Sequence, residues 1–201
     1  MIHVVTKNKA ASYAPQFEAM HGLLHKIYAT RRGWPVELND GIYTGSVNSD
    51  LPDPTLSIYL MRICDKGSLS AALRLSPSEF RGARSVQPDD LGLAGLPAGP
   101  DIWDAGKVCL DDQPDKQGAL TDLALGTLEF ALTWSIKQIC FLLDQDLSDA
   151  ARYLPLHMEF AGAPVNFYGE TFTPTVLQIS PDSVRSLRDL LPDTRPRLHL
   201  G

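Results

Sequence analysis

Apolar residues recur with a helical period over two long stretches of the chain. Between Tyr13 and Arg31 they repeat every three to four positions, which is typical of a helix with one buried face, and Ser12 is the expected N-cap. Three further helices are predicted, from Leu120 to Gln138, from Asp146 to Tyr153, and from Pro181 after the capping residue Ser180.

Shorter apolar runs bounded by turn residues predict the strands. Leu56–Cys64 and Ser68–Leu75 flank the turn Asp65-Lys66-Gly67, an arrangement that is typical of a β-hairpin. Ile102–Leu110 is a third strand, interrupted by Gly106, and a glycine inside a strand often marks a bulge. The remaining strands are expected over Ile139–Leu143, His157–Phe160 and Pro174–Ile179.

This order of elements predicts an α/β fold in one domain, residues 1–201. The expected architecture is a three-layer sandwich in which a twisted, mainly antiparallel sheet is flanked by helices. The pattern is compatible with N-acetyltransferase-like folds. The nearest match to the glycine-rich pyrophosphate loop of that superfamily, residues 113–118, lacks the usual spacing, so a coenzyme A pyrophosphate held at a helix N-terminus has little support.

Composition narrows the classes of function. The chain has 18 Lys and Arg against 24 Asp and Glu, a formal net charge of −6, which argues against a nucleic-acid-binding protein. No apolar run approaches the roughly 18–20 residues of a membrane span, and the first apolar stretch is too short for a signal peptide. Three widely separated cysteines form no disulfide framework, which is simplest in a reducing cytoplasm.

Metal binding is not expected from the histidines. His21 and His25 are four positions apart and could share one face of the first helix, but zinc needs a third ligand and none is suggested nearby. We therefore interpret both as surface histidines.

Four segments, taken together, resemble a known enzyme family. They are H-K-I-Y at residues 25–28 followed by R-G-W-P-V at 32–36; Tyr59-Leu60 followed by A-L-R-L-S-P at 72–77; I-W-D-A-G-K-V at 102–108; and F-A-G-A-P at 160–164 ahead of Gly169. In order and spacing they resemble the acyl-homoserine-lactone synthases of bacterial quorum sensing. The resemblance covers nearly the whole chain, and its individual motifs are moderately specific.

The resemblance implies an acyl transfer. Family members join the acyl chain of an acyl-carrier-protein or acyl-CoA thioester to the amino group of S-adenosylmethionine, whose carboxylate then closes onto its own γ-carbon as methylthioadenosine leaves. S-adenosylmethionine and one of these acyl donors are therefore the expected substrates, with no metal. Such a site must hold a sulfonium beside an amine, stabilise the thioester oxyanion and offer an apolar slot to the acyl tail.

The resemblance also implies a site for S-adenosylmethionine. Trp34, Tyr28 and Arg74 match or replace residues that line it in the family, and an aromatic face such as Trp34 suits a sulfonium through a cation–π contact. Leu24 stands where the family has an arginine.

The expected catalytic residues are Asp104 and Lys107, which stand for a glutamate and an arginine of the family and would orient the amine and the carboxylate. Strand alternation puts them on opposite faces of the sheet unless Gly106 forms a bulge. The family's acidic cluster is replaced in residues 43–50. Asn48 and Asp50 are expected to take its place in part.

Several of these positions have a second interpretation. Trp103, Trp134, Phe141 and Leu143 lie where the family's acyl pocket would be lined, and each is equally well explained as ordinary core. Trp34 could likewise be a core residue that follows the end of a helix.

Two other functions fit the same sequence. One is an enzyme that cleaves or cyclises S-adenosylmethionine without an acyl donor, or acylates a different amine. The other is a non-catalytic relative that binds a small ligand or a partner. Release of methylthioadenosine from S-adenosylmethionine alone indicates the first, and binding without turnover indicates the second.

Overall fold

The computed structural model describes residues 1–34, 38–39, 42–43, 57–83, 95–112, 115–191 and 195–199. Their strands are β1 (Ile2–Thr6), β2 (Leu38–Asn39), β3 (Ile42–Tyr43), β4 (Ile58–Ile63), β5 (Leu69–Pro77), β6 (Ile102–Leu110), β7 (Gln138–Leu143), β8 (Met158–Phe160), β9 (Val165–Phe167), β10 (Glu170–Gln178) and β11 (Leu198–His199). Their α-helices are α1 (Ala14–His25), α2 (Lys116–Thr133), α3 (Gln145–Ala151) and α4 (Pro181–Asp189). Lys7–Tyr13 and Ser78–Ala83 are 3-10 helices, and Lys26–Arg31 is a π-helical turn.

Within the described residues one sheet dominates, in the order β11-β1-β4-β5-β6-β7-β10-β8, with β9 paired to β10 and β2-β3 apart. Its pairs are antiparallel except β1–β11 and β6–β7, which are parallel. Apolar side chains of α1 pack on one face, and those of α2, α3 and α4 pack on the other. The expected mainly antiparallel sheet between helices is therefore confirmed.

The hairpin and the third strand lie where the pattern predicts them, the third strand at Ile102–Leu110. The predicted bounds of two helices were wrong. The first helix is α-helical only to His25, and Ser12 lies in the preceding 3-10 helix instead of capping it. The second spans Lys116–Thr133, because Ser135 adopts a left-handed φ of 57° that ends it.

Strand β1 is not predicted by the hydrophobic pattern, since its five residues are too few to show a period. It pairs with both β4 and β11 inside the sheet. None of the described helices combines the length and the apolar character needed to span a bilayer.

The last strand is held to the fold by a buried carboxylate of α2. Glu129 accepts hydrogen bonds from the backbone N–H groups of Arg197 (2.9 Å) and Leu198 (3.0 Å) and from the Arg188 guanidinium (2.8 Å). Its charge therefore ties the backbone at the start of β11 and just before it to α2.

Replacing Glu129 with glutamine is expected to lower the free energy of unfolding by about 2–3 kcal/mol, because an amide loses the charge and turns N–H groups toward donors. Urea unfolding measures the change. The matched control is Glu159→Gln on the exposed strand β8, for which a shift below about 0.5 kcal/mol is expected. Equal shifts in the two variants would contradict the proposed anchoring.

Candidate active site

A cleft opens where β6 and β7 stop pairing. The two strands are registered only over Ile102–Asp104 and Gln138–Cys140, although each continues further. Beside the separation lies a cavity of about 110 Å³. We call this cavity the mouth of the cleft; its charged and aromatic lining residues are Tyr28, Arg31, Arg32, Lys107, Lys116, Phe141, Asp144, Asp146 and Phe172.

A second cavity of about 80 Å³ adjoins the first on the face covered by α2. The two share the lining residues Ala105, Val108, Phe141 and Leu147. All other lining residues of the second cavity are apolar except Thr127, whose hydroxyl donates to the Leu123 carbonyl at 2.7 Å: Leu73, Leu120, Leu123, Ala124, Thr127, Ile139, Leu143, Ala151, Leu154, Leu156, Met158 and Leu177. The cleft thus has a charged mouth and an apolar slot.

The strand on one side of the cleft is bulged. The register between β5 and β6 shifts between Ala72 and Arg74, which face Cys109 and Gly106 respectively. The bulge considered at Gly106 is therefore present, and Lys107 is the residue with the left-handed φ, 52°. Lys107 lines the mouth of the cleft.

The charge of Lys107 also affects a histidine of α1. The pKa of His21 is lowered mainly by burial and further by the positive charge of Lys107. His21 and His25, expected at the surface, are both half-buried. In the described ranges no group of three or more His, Cys, Asp or Glu side chains comes together as a metal site.

Trp34 is the centre of an aromatic cluster. It is 8% exposed, and its ring contacts Tyr28 (4.9 Å between centroids), Phe167 (5.3 Å), Tyr168 (5.4 Å) and Phe172 (5.8 Å). Its indole Nε1 is buried and has no hydrogen-bond acceptor among the residues that the structure describes. Two of these rings, Tyr28 and Phe172, line the mouth of the cleft. The aromatic cluster therefore lies directly behind one side of the mouth.

The cation against this cluster is Arg32. Its Cζ lies 5.4 Å from the Tyr28 centroid and 5.7 Å from that of Trp34. Its guanidinium pairs with Asp144 (2.5 Å) and Glu170 (2.9 Å). Burial opposes the charge of Arg32, but the two carboxylates outweigh burial and raise its pKa.

Arg74 is a buried cation without a counter-ion among the described residues. It is 5% exposed, and its Nε has no hydrogen-bond acceptor. Its neighbours in register are Tyr59 and Gly106, and burial raises the pKa of Tyr59 although the Arg74 charge opposes the shift. Ala72, two residues earlier, packs with α1, so Arg74 points to the α1 face. A cation that is buried and unpaired is costly unless an anionic ligand joins it.

Asp104 lies on the same face of the sheet as Arg74, the face covered by α1, but it lines neither of the two cavities. It is 2% exposed and is bridged by Arg81, from Nε to Oδ2 at 3.0 Å and from Nη2 to Oδ1 at 2.6 Å. The sequence does not single out Arg81, because its partner is 23 residues away. Asn48 and Asp50 lie outside the described residues.

The four residues considered for the acyl pocket divide into two pairs. Phe141 and Leu143 line the apolar slot. Trp103 and Trp134 do not line it; both contact Phe130, at 5.9 Å and 5.2 Å between centroids, and Trp134 is 47% exposed. The structure therefore brings only the first pair to the cleft.

Comparison with solved structures identifies the fold. No protein-family model matches the chain, and no curated protein sequence matches it. Among solved structures, the CoA-dependent acyl-homoserine lactone synthase BjaI with SAM and isopentyl-CoA has a TM-score of 0.79 at 20% identity, over 100% of this chain and 93% of that one. The chain has the acyl-homoserine-lactone synthase fold.

Two further structures agree with this assignment. The CoA-dependent acyl-homoserine lactone synthase MesI has a TM-score of 0.75 at 18% identity, with 100% of both chains covered. The AHL synthase LasI has a TM-score of 0.70 at 13% identity, over 97% of this chain and 98% of that one. The fold implied by the sequence resemblance is therefore confirmed.

Proposed function

We propose that the protein is an acyltransferase of the acyl-homoserine-lactone synthase type. It joins an acyl thioester to S-adenosylmethionine, forms a lactone and releases methylthioadenosine. The observation that carries the proposal is the two-part cleft between β6 and β7, with a charged mouth and an apolar slot. An acyl thioester has two parts that match the two parts of the cleft, since its acyl tail needs an apolar surface and its head group needs a polar one.

The reaction consists of two displacements. The neutral amine of S-adenosylmethionine attacks the thioester carbon, an amide bond forms, the C–S bond breaks and the thiol leaves with a proton. A carboxylate oxygen then attacks the γ-carbon, the bond to the sulfonium breaks and neutral methylthioadenosine leaves. The product belongs to the diffusible signals of quorum sensing.

Arg74 is assigned to the carboxylate of S-adenosylmethionine. A buried guanidinium that has no counter-ion among the described residues forms strong, charge-assisted hydrogen bonds with a carboxylate. Trp34 and Tyr28 are assigned to the aromatic wall beside the sulfonium. Lys107, at the mouth, is assigned to stabilise the negative charge of the reacting groups. Asn48 and Asp50 remain predicted catalytic residues.

Acyl-CoA is the proposed donor, and acyl-carrier protein is the other donor with the same thioester. BjaI and MesI are CoA-dependent, and acyl-CoA is a soluble donor whose tail suits the slot. We infer a cytoplasmic location, where both substrates are made. Phe141 and Leu143 are assigned to the acyl tail.

The test is an incubation of the purified protein with S-adenosylmethionine and acyl-CoA esters of increasing length. Methylthioadenosine, free coenzyme A thiol and acyl-homoserine lactone are expected in equal amounts, and only when both substrates are present. Methylthioadenosine from S-adenosylmethionine alone would indicate the enzyme without an acyl donor. No product with any donor, carrier-protein thioesters included, would indicate a binding protein. Either result would overturn the proposal.

A further inference from the structure

A buried ion pair lies at the vertex of the cleft. Asp104 is registered with Cys140, the last pair before β6 and β7 separate. Arg81, from the 3-10 helix after β5, reaches this point and binds both carboxylate oxygens of Asp104. Both side chains are buried.

The same guanidinium holds the segment that leads into β6. Nη1 of Arg81 donates to the Leu96 carbonyl at 2.8 Å, and Nη2 donates to the Pro97 carbonyl at 3.0 Å. The Cys140 thiol on β7 contacts the same Pro97 carbonyl at 3.7 Å. Arg81 therefore ties β6 and the chain before it to the start of β7.

Asp104 is poorly placed for proton transfer with a substrate. Both of its oxygens accept from a guanidinium, and the cavity lining on β6 begins one residue later, at Ala105. A general base must lie within hydrogen-bond reach of the proton it takes. Three residues beyond Asp104, Lys107 does reach the mouth.

We propose that Arg81 and Asp104 are positioning residues, which fix the vertex of the cleft and the bulge that carries Lys107 and exchange no proton with the substrates. The catalytic part of this assignment rests on the acyltransferase function above. The proposal predicts a specific result for variants of the pair. A buried ion pair can be replaced by two apolar side chains of similar volume without loss of the fold, whereas removal of one partner leaves a buried charge.

A double-mutant cycle tests the proposal. Arg81→Met and Asp104→Leu are each expected to lower Tm and to reduce kcat at least about tenfold, because each breaks the two-point contact between the side chains. In the double variant R81M/D104L, the losses in Tm and kcat are expected to be no greater than the larger of the two single losses, because the contact is lost only once, although the Leu96 and Pro97 carbonyls still lack their donor. If the losses in Tm overlap in this way but the losses in kcat add, Asp104 acts chemically and the proposal is overturned.

A second variant decides the matter should the double variant not fold. Arg81→Lys keeps the charge but replaces the fork by a point contact. It is expected to lower kcat without changing the shape of the pH profile of kcat/KM. A limb of the profile that moves in this variant would overturn the proposal, since only a proton-transferring Asp104 would respond in that way.

The matched control is the exposed pair Arg152–Asp149 on α3 and the residue after it. R152M/D149L is expected to leave Tm, kcat and the pH profile unchanged. Acyl-CoA affinity, measured by calorimetry, separates this proposal from the proposed function. If the wild-type protein forms no product, the acyltransferase function fails. Weaker acyl-CoA binding in the single variants, with no further weakening in the double variant, still supports the vertex assignment in that case. Unchanged binding in the single variants overturns it.

Discussion

The Arg74→Met variant is expected to lose at least about 100-fold in kcat/KM for S-adenosylmethionine, while its Tm stays the same or rises. The loss follows from the removal of the cation that pairs with the substrate carboxylate, since removing one partner of a buried ion pair costs about 3 kcal/mol or more. The gain in Tm follows because the free protein buries Arg74 without a counter-ion among its described residues. Methylthioadenosine release and thermal unfolding measure the two quantities.

Arg62→Met is the matched control for this prediction. Arg62 lies on the neighbouring strand β4, but it pairs with Asp122 at 2.8 Å and with Asp115 at 2.9 Å. Its removal is expected to lower Tm and to leave kcat/KM within about threefold. If Arg74→Met lowers Tm as Arg62→Met does and leaves kcat/KM intact, Arg74 is a structural residue and its assignment to the substrate is wrong.

The Ala124→Phe variant is expected to lose long-chain acyl donors and keep short ones. Ala124 lies on α2 and lines the apolar slot, so a phenyl ring there fills the space of the acyl tail. Excluding about four methylenes from an apolar site costs about 3 kcal/mol, or roughly 100-fold in kcat/KM. The ratio of rates with long and short acyl-CoA esters, at saturating S-adenosylmethionine, measures the effect.

Leu132→Phe serves as the control for the slot, because Leu132 is on the same helix, is exposed and lines neither cavity. It is expected to leave the ratio unchanged. An equal loss for all chain lengths in Ala124→Phe, at unchanged Tm, would mean that the acyl tail does not use the slot.

Local patterns predicted the strands of the hairpin and β6 because each carries its own signal, an apolar run bounded by turn residues. The cap of α4 is equally local: Ser180 accepts from the Ser183 backbone N–H at 3.2 Å. The end of α2 was missed, because apolar residues continue past it at Trp134, Ile136 and Ile139, while the backbone takes a left-handed φ at Ser135. A period describes which side chains suit a helix and not where the chain turns.

The roles of the candidate site residues stay predictions. Trp34, Arg74 and Lys107 come from the resemblance; the structure puts Lys107 in the lining of the mouth, whereas Trp34 and Arg74, on the strand adjacent to β6, line neither of the two cavities. Arg32 and Arg81 were not predicted. Their importance depends on carboxylates distant in sequence, and an arginine in a polar segment looks the same with or without such a partner.

The amino-acid sequence alone determined the α/β class, most of the sheet strands and the resemblance to the synthases, because these depend on the order of apolar and polar residues along the chain. Only the tertiary structure decided where the cleft lies, because β6 and β7 must be seen side by side before their early separation after Asp104 and Cys140 becomes apparent. The tertiary structure also decided which charges are paired. Pairing depends on distance and burial, and these are properties of the packed chain.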